Sequence, residues 1–102
     1  MGFLAKLKEI FVGPDPSFYK EKIENGAVII DVRTKEEFKA GHLPGSKNMP
    51  LKGLRKEANS LTGKEVILVC RSGARAATAK GVLNSKGITA HNAGSWTSLQ
   101  GL

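Results

Sequence analysis

Cysteine is nearly absent from this sequence, since Cys70 is the only one among 102 residues. A single thiol excludes an intramolecular disulfide, and no cysteine–histidine spacing in the chain is typical of a zinc site. A free thiol is more common in proteins of a reducing compartment than in secreted ones. The cysteine count therefore favours a cytoplasmic protein without a structural metal.

Long hydrophobic runs are also missing. No apolar run approaches the roughly 20 residues that a membrane-crossing helix needs, so we expect no membrane span. The first residues, MGFLAKLKEIFVG, carry Lys6, Lys8 and Glu9 within the part that would form the apolar region of a secretory signal. A signal peptide is therefore not expected, which again indicates a cytoplasmic location.

Negative charge is scarce. Nine acidic residues stand against 16 basic ones, for a formal net charge of +7. A positive surface attracts small oxyanions, phosphates, nucleic acid or acidic lipid. However, the chain has no block of consecutive lysines and no arginines interleaved with aromatic residues, so nucleic acid is not an expected partner. Nothing in the sequence indicates the oligomeric state.

The length and the apolar pattern predict one domain with a short extension. Apolar residues at helical spacing predict an N-terminal amphipathic helical extension over residues 1–12: Phe3, Leu4, Leu7, Ile10 and Phe11. We expect this helix to dock on the domain or to fray, with attachment to a membrane surface or a partner as the alternative. The main domain is predicted over residues 13–102.

Within that domain, predicted strands alternate with predicted helices. Strands are expected at residues 27–32 (AVIIDV), 65–69 (EVILV) and 88–91. Helices are expected from Asp15–Pro16 to Asn25–Gly26, from the capping box Thr34–Glu37 to Gly41, over residues 51–60 and over residues 74–85, with a last helical turn from Ser95. In the helix over residues 74–85, Ala77, Val82 and Leu83 are predicted to face the core. This alternation predicts an α/β fold, an open parallel sheet flanked by helices on both faces.

Cys70 directly follows the second buried strand and precedes a loop that leads into a helix. Functional sites of open parallel sheets lie beyond the carboxyl ends of the strands. Backbone amides of the loop over residues 71–75, the helix dipole, and the charges of Arg71 and Arg75 favour the thiolate, which is the reactive form. The alternative is that Cys70 only fills a small apolar space at the end of a strand.

The segment CRSGAR, residues 70–75, resembles the active loop of the rhodanese family, C-R-x-G-x-R. The segment VIIDVRTKEEFKAGHLPGSKNMP, residues 28–50, is similar to the family's strand, D-V-R, acidic helix and G-H-I-P-G-A regions. The segment NAG, residues 92–94, resembles the stretch before the final helix. These motifs occur in the family's order. The sequence most resembles the single-domain thiosulfate sulfurtransferases, including the phage-shock type.

The resemblance implies a rhodanese-like fold and a persulfide mechanism. The thiolate of Cys70 is expected to take the outer sulfur of a small anionic donor such as thiosulfate, and to pass it to cyanide, to a small thiol or to a thiol on a partner protein. The residues assigned by the resemblance are Cys70 as nucleophile, Arg71, Ser72, Gly73, Ala74 and Arg75 as the substrate-binding loop, and Asp31 and Arg33 as supporting residues. No metal ion or organic cofactor is implied.

Two alternatives remain open. Phosphatases and arsenate reductases of the same fold use a longer C-x5-R loop, whereas four residues separate Cys70 from Arg75 here, which favours a single sulfur atom over a phosphate. A regulatory or sulfur-carrier module without turnover of its own is the second alternative. The sequence departs from the family at residues 94–96, where Trp96 follows Gly94 after one residue and a second glycine is missing, so the last wall of the pocket is not predicted.

Overall fold

A computed structural model of the protein describes residues 15–102, and the extension predicted over residues 1–12 lies outside the described residues. The helices are α1 (Pro16–Glu24), α2 (Lys35–Ala40), α3 (Leu51–Glu57) and α4 (Ala74–Ser85). The strands are β1 (Val28–Asp31), β2 (Lys47–Asn48), β3 (Val66–Cys70) and β4 (Ala90–Ser95). Single 3-10 turns follow α3 at Ala58–Leu61 and β4 at Trp96–Leu99.

The four strands form one parallel sheet in the order β2-β1-β3-β4. All five residues of the central strand β3 are buried, as its run of apolar residues predicted. Val66, Leu68 and Cys70 face a core built with α3 and α4, whereas Ile67 and Val69 face α1 and the final 3-10 turn. The predicted open parallel sheet with helices on both faces is therefore confirmed.

Local sequence signals placed most helix boundaries correctly. The Asp15 carboxylate accepts hydrogen bonds from the amides of Ser17 and Phe18, and Pro16 opens α1. Thr34 and Glu37 form the predicted capping box at the start of α2, and Gly41 caps its end. Helix α4 has the predicted bounds. These boundaries depend on side chains close in sequence, which is why the sequence alone located them.

The third predicted strand has wrong bounds. It was expected over residues 88–91, but β4 runs from Ala90 to Ser95. Its sequence, AHNAGS, has little β-propensity, so its extent is decided by pairing with β3, which begins at Val66 opposite Ala90. The short strand β2 was missed for a similar reason, because two residues at the edge of a sheet leave no pattern in the sequence.

The predicted inward face of α4 is correct only in part. Leu83 is buried and Val82 is half-buried against the core, but Ala77 is exposed, and Ala76 and Ala79 are buried instead. Alanine appears all around this helix, so its pattern does not define a face. Close packing of α4 on the sheet selects which alanines are covered. Among residues 15–102, no helix combines the length and the apolarity required to cross a membrane.

Candidate active site

Cys70 is the last residue of β3, and its sulfur lies beneath the turn that starts α4. The residue is only 1% exposed. Its Sγ atom accepts hydrogen bonds from the amides of Gly73, at 2.9 Å, and Ala76, at 3.4 Å. Backbone amides aimed at a sulfur stabilise negative charge there without adding a competing charged side chain. The buried sulfur of Cys70 therefore has two backbone N–H donors directed at it.

Gly73 shapes the turn that covers this sulfur. It is the N-cap of α4, and its φ of 102° lies in the left-handed region that glycine adopts without strain. A Cβ atom at this position would lie 3.4 Å from the Cα of Gly94. The loop thus approaches β4 so closely that a side chain at residue 73 would be strained and crowded.

Asn92 connects the cysteine loop to β4. Its side-chain amide donates to the carbonyl oxygen of Gly73 at 3.0 Å, and its side-chain oxygen accepts from the amide of Gly94 at 2.9 Å. The pairing of β4 with β3 is irregular next to this point, between Leu68 and Cys70. Such irregularities often redirect a strand beside an active site. Sequence reasoning missed Asn92, although the NAG segment was the available signal.

Three residues of the predicted substrate loop form its exposed side: Arg71, Ser72 and Ala74. Gly73 and Arg75 are half-buried. The structure therefore presents one arginine of the loop to solvent and draws the other inward. The substrate-binding role of these residues stays a prediction.

Arg75 forms a two-bond ion pair with Glu37 of α2. Its Nη1 donates to Oε1 at 2.7 Å and its Nη2 donates to Oε2 at 2.9 Å, the fork geometry that makes arginine–carboxylate pairs strong. The hydrogen bonds from Arg75, followed by one from the amide of Thr34, lower the pKa of Glu37 from 4.5 to about 2. The pKa of Arg75 is raised, chiefly by the hydrogen bonds to Glu37.

This ion pair gives Arg75 a partner within the chain that the sequence did not predict. The arginine was assigned to an anionic donor, but its guanidinium is occupied by a carboxylate of this chain. Glu37 was predicted only as part of a capping box. The contact with Arg75 joins residues 38 positions apart in sequence, so it follows from how α2 packs beside the loop and leaves no local signal.

Asp31 and Arg33 form a buried ion pair at the end of β1, with exposures of 0% and 5%. Arg33 donates to both carboxylate oxygens of Asp31 and, through Nη2, to the carbonyl oxygen of Gly41 at 2.7 Å. Its guanidinium also lies 4.8 Å from the ring centre of Trp96. A buried pair with its hydrogen bonds satisfied fixes the surrounding backbone. The pair thus connects β1, the turn after α2 and the C-terminal 3-10 turn.

Trp96 settles a point that the sequence left open. Its early position, directly after Ser95, places the indole ring against Arg33 and 3.4 Å from where a Cβ atom of Gly41 would lie. The indole ring therefore packs beside the buried Asp31–Arg33 ion pair and next to Gly41. Its contact partners could not be predicted, because they lie more than 50 residues away in the sequence.

A parallel α/β sheet in which an inner strand ends on a cysteine, the first residue of a six-residue C-R-S-G-A-R segment that leads into a helix, defines a rhodanese-like domain. Residues 15–101 match the family described as the rhodanese-like domain. The chain therefore belongs to the rhodanese family, and its fold agrees with that of solved members.

Two curated relatives carry names that concern sulfur. A putative sulfur carrier protein, YrkF, of Bacillus subtilis is 33% identical over 72 residues, which cover 68% of this chain and 39% of the relative. A tRNA sulfurtransferase of Thermoplasma acidophilum is 32% identical over 72 residues, which cover 71% of this chain and 15% of the relative. The chain spans less than half the length of either protein.

A solved structure gives the same fold over nearly its whole length. The rhodanese-like domain protein of Staphylococcus aureus is 30% identical and superposes with a TM-score of 0.73, covering 86% of this chain and 92% of that one. The likeness therefore extends over a complete single domain in that protein.

Proposed function

We propose that this protein is a sulfurtransferase that carries a sulfane sulfur as a persulfide on Cys70. One observation carries the proposal. Cys70 is the last residue of β3, and its Sγ accepts hydrogen bonds from the amides of Gly73 and Ala76. Those amides favour a thiolate before the reaction and a persulfide anion after it. Membership of the rhodanese family and the two sulfur-related relatives support the same chemistry.

The first half-reaction transfers sulfur to the enzyme. The Cys70 thiolate forms a bond to the outer sulfur of thiosulfate while the sulfur–sulfur bond of thiosulfate breaks and its electron pair leaves with sulfite. In the second half-reaction, cyanide or a thiolate forms a bond to the terminal sulfur, and Cys70 departs again as a thiolate. Both steps balance without a metal ion, a cofactor or an external redox partner.

The short loop between Cys70 and Arg75 favours transfer of a single sulfur atom over transfer of a larger tetrahedral group. Cys70 is nearly inaccessible, and four residues form the loop between it and Arg75. A single added sulfur atom requires less space than the equatorial oxygens of a phosphate. This supports sulfur transfer over phosphatase or arsenate reductase chemistry.

A sulfur carrier that requires a dedicated protein acceptor is the second candidate. It is favoured by the similarity to the putative sulfur carrier protein YrkF. It shares the first half-reaction and differs only in the second. The physiological acceptor is then a thiol presented by another protein.

Turnover with a small acceptor tests the proposal. Thiocyanate formation from thiosulfate and cyanide should follow double-displacement kinetics, because the sulfur resides on the enzyme between the two half-reactions. Cys70→Ser should abolish it, since no other thiol is present. Persulfide formation without thiocyanate would favour the carrier, whereas thiocyanate formation by Cys70→Ser would overturn the role of Cys70.

A further inference from the structure

We propose that Glu37 makes the cysteine loop select sulfur donors by their charge. Its carboxylate favours reaction with donors that carry a single negative charge over reaction with dianions. The proposal rests on the sulfur transfer proposed above and deepens it by naming the donor class. It assigns Glu37 as a specificity-determining residue of the site.

The charged side chains around Cys70 act differently on donors of different charge. The loop contributes two positive charges, from Arg71 and Arg75, and Glu37 places one negative charge beside them, in addition to that of the reacting Cys70 thiolate. Asp31 and Arg33 cancel each other in their buried pair. The negative charge of Glu37 therefore repels a donor with two negative charges more strongly than a donor with one.

The ion pair between Arg75 and Glu37 hinders a donor that would bind to Arg75. Both carboxylate oxygens of Glu37 are bound by the guanidinium of Arg75, which lies only 34% exposed. A dianion that recruits Arg75 has to break this two-bond pair or approach an ionised carboxylate. Either route costs free energy that a monoanion bound at Arg71 does not lose.

Thr34 makes the carboxylate difficult to displace. Its amide and its hydroxyl both donate to Oε1 of Glu37, at 3.0 Å and 3.1 Å, while the amide of Glu37 donates back to the hydroxyl at 3.2 Å. The carboxylate is thus held from the start of α2 as well as by Arg75. Because the pKa of Glu37 lies at about 2, its carboxyl group is ionised at neutral pH.

Two donors that differ by one charge provide the test. Thiosulfate is a dianion and methanethiosulfonate is a monoanion, and both transfer the same outer sulfur. With either donor the Cys70 thiolate gains a bond to that sulfur, and the electron pair of the broken sulfur–sulfur bond leaves with sulfite or with methanesulfinate. The measurement is the second-order rate constant of persulfide formation with each donor, and the readout is their ratio.

Glu37→Gln removes the charge and keeps the capping box, because glutamine serves equally at that position. We expect this variant to raise the thiosulfate-to-methanethiosulfonate ratio by about three- to tenfold, the size expected for one partly screened charge. Glu36→Gln is the matched control, since it removes an exposed carboxylate from the same helical turn. Its ratio should stay close to that of the unmodified protein.

Glu37→Asp separates charge from shape. It retains the negative charge, so its ratio should remain near that of the unmodified protein even if both rates fall. Equal ratios for Glu37→Gln and Glu36→Gln would overturn the role of Glu37 while leaving sulfur transfer intact. Failure of the unmodified protein to form a persulfide with either donor would overturn the proposed function, and this inference with it.

Discussion

Gly73 is the residue on which the geometry of the cysteine loop depends most. Its amide donates to Cys70 Sγ, its carbonyl oxygen accepts from Asn92, and its φ of 102° allows the turn between them. Glycine adopts this backbone conformation without strain, whereas residues with a side chain rarely do. The position of the amide on the sulfur is therefore set by the backbone, with no side chain taking part.

Two glycine substitutions in the same region test this point. Gly73→Ala should destabilise the protein by about 1–2 kcal/mol, because alanine is strained at positive φ. Gly81→Ala, in the middle of α4 with no atom within 4 Å of the added Cβ, should stabilise it by about 0.5–1 kcal/mol. Unfolding in urea measures both. A neutral or stabilising effect of Gly73→Ala would show that the turn does not require glycine.

The sequence predicted Cys70 and its loop as the candidate site, but it did not predict that Glu37 and Asn92 contact this loop. The CRSGAR segment is contiguous, so its pattern is visible in the chain. Glu37 and Asn92 reach the loop from α2 and β4, and their contacts depend on the packing of the sheet and the helices. Reasoning from local patterns has no access to such contacts.

Among the secondary-structure elements, α2 has the most direct connection to the candidate site. Its capping box uses Glu37 at the third position, and the same carboxylate binds Arg75 in the first turn of α4. The start of one helix is thereby joined to the start of another across the cysteine loop. The stability of this connection depends on the ionisation of a single carboxyl group.

The ion pair predicts a specific pH dependence. The pKa of Glu37 is about 2 in the folded protein against an ordinary value of 4.5, so its stabilising contribution is complete above about 4.5 and is lost as the pH falls toward 2. Glu37→Gln should therefore be less stable than the unmodified protein by about 0.5–1 kcal/mol at neutral pH. The difference should shrink across that acidic range.

Urea unfolding of both proteins at several pH values measures this difference, with Glu36→Gln as the control for loss of a carboxylate from the same turn. A constant gap between the unmodified protein and Glu37→Gln down to the lowest pH would contradict the ion pair as its cause.

Elements with strong local signals were predicted well, and those fixed by pairing were not. The apolar strands and the capped helices α1 and α2 carry their own patterns. Strand β4 contains glycine, alanine and asparagine, and its bounds follow from the register with β3. It nevertheless contributes Asn92, so a strand whose bounds the sequence did not predict holds the loop in place.

For the whole molecule, the residues around Cys70 come from positions 31–96, and the family match begins at residue 15. The candidate site thus lies within the main domain proposed for residues 13–102. We expect the N-terminal extension to be dispensable for the chemistry.

Deletion of residues 1–12 should leave the rate constant of persulfide formation unchanged, provided that circular dichroism shows the same fold. A large loss of rate in a folded, truncated protein would show that the extension contributes to the site.

Intact-mass spectrometry detects the proposed persulfide on Cys70 directly. After incubation with thiosulfate and removal of excess donor, the protein should gain the mass of one sulfur atom, and cyanide should remove it. Cys70→Ser should gain nothing under the same conditions. A folded protein that gains no sulfur from thiosulfate or methanethiosulfonate, or a Cys70→Ser variant that does gain one, would contradict the account.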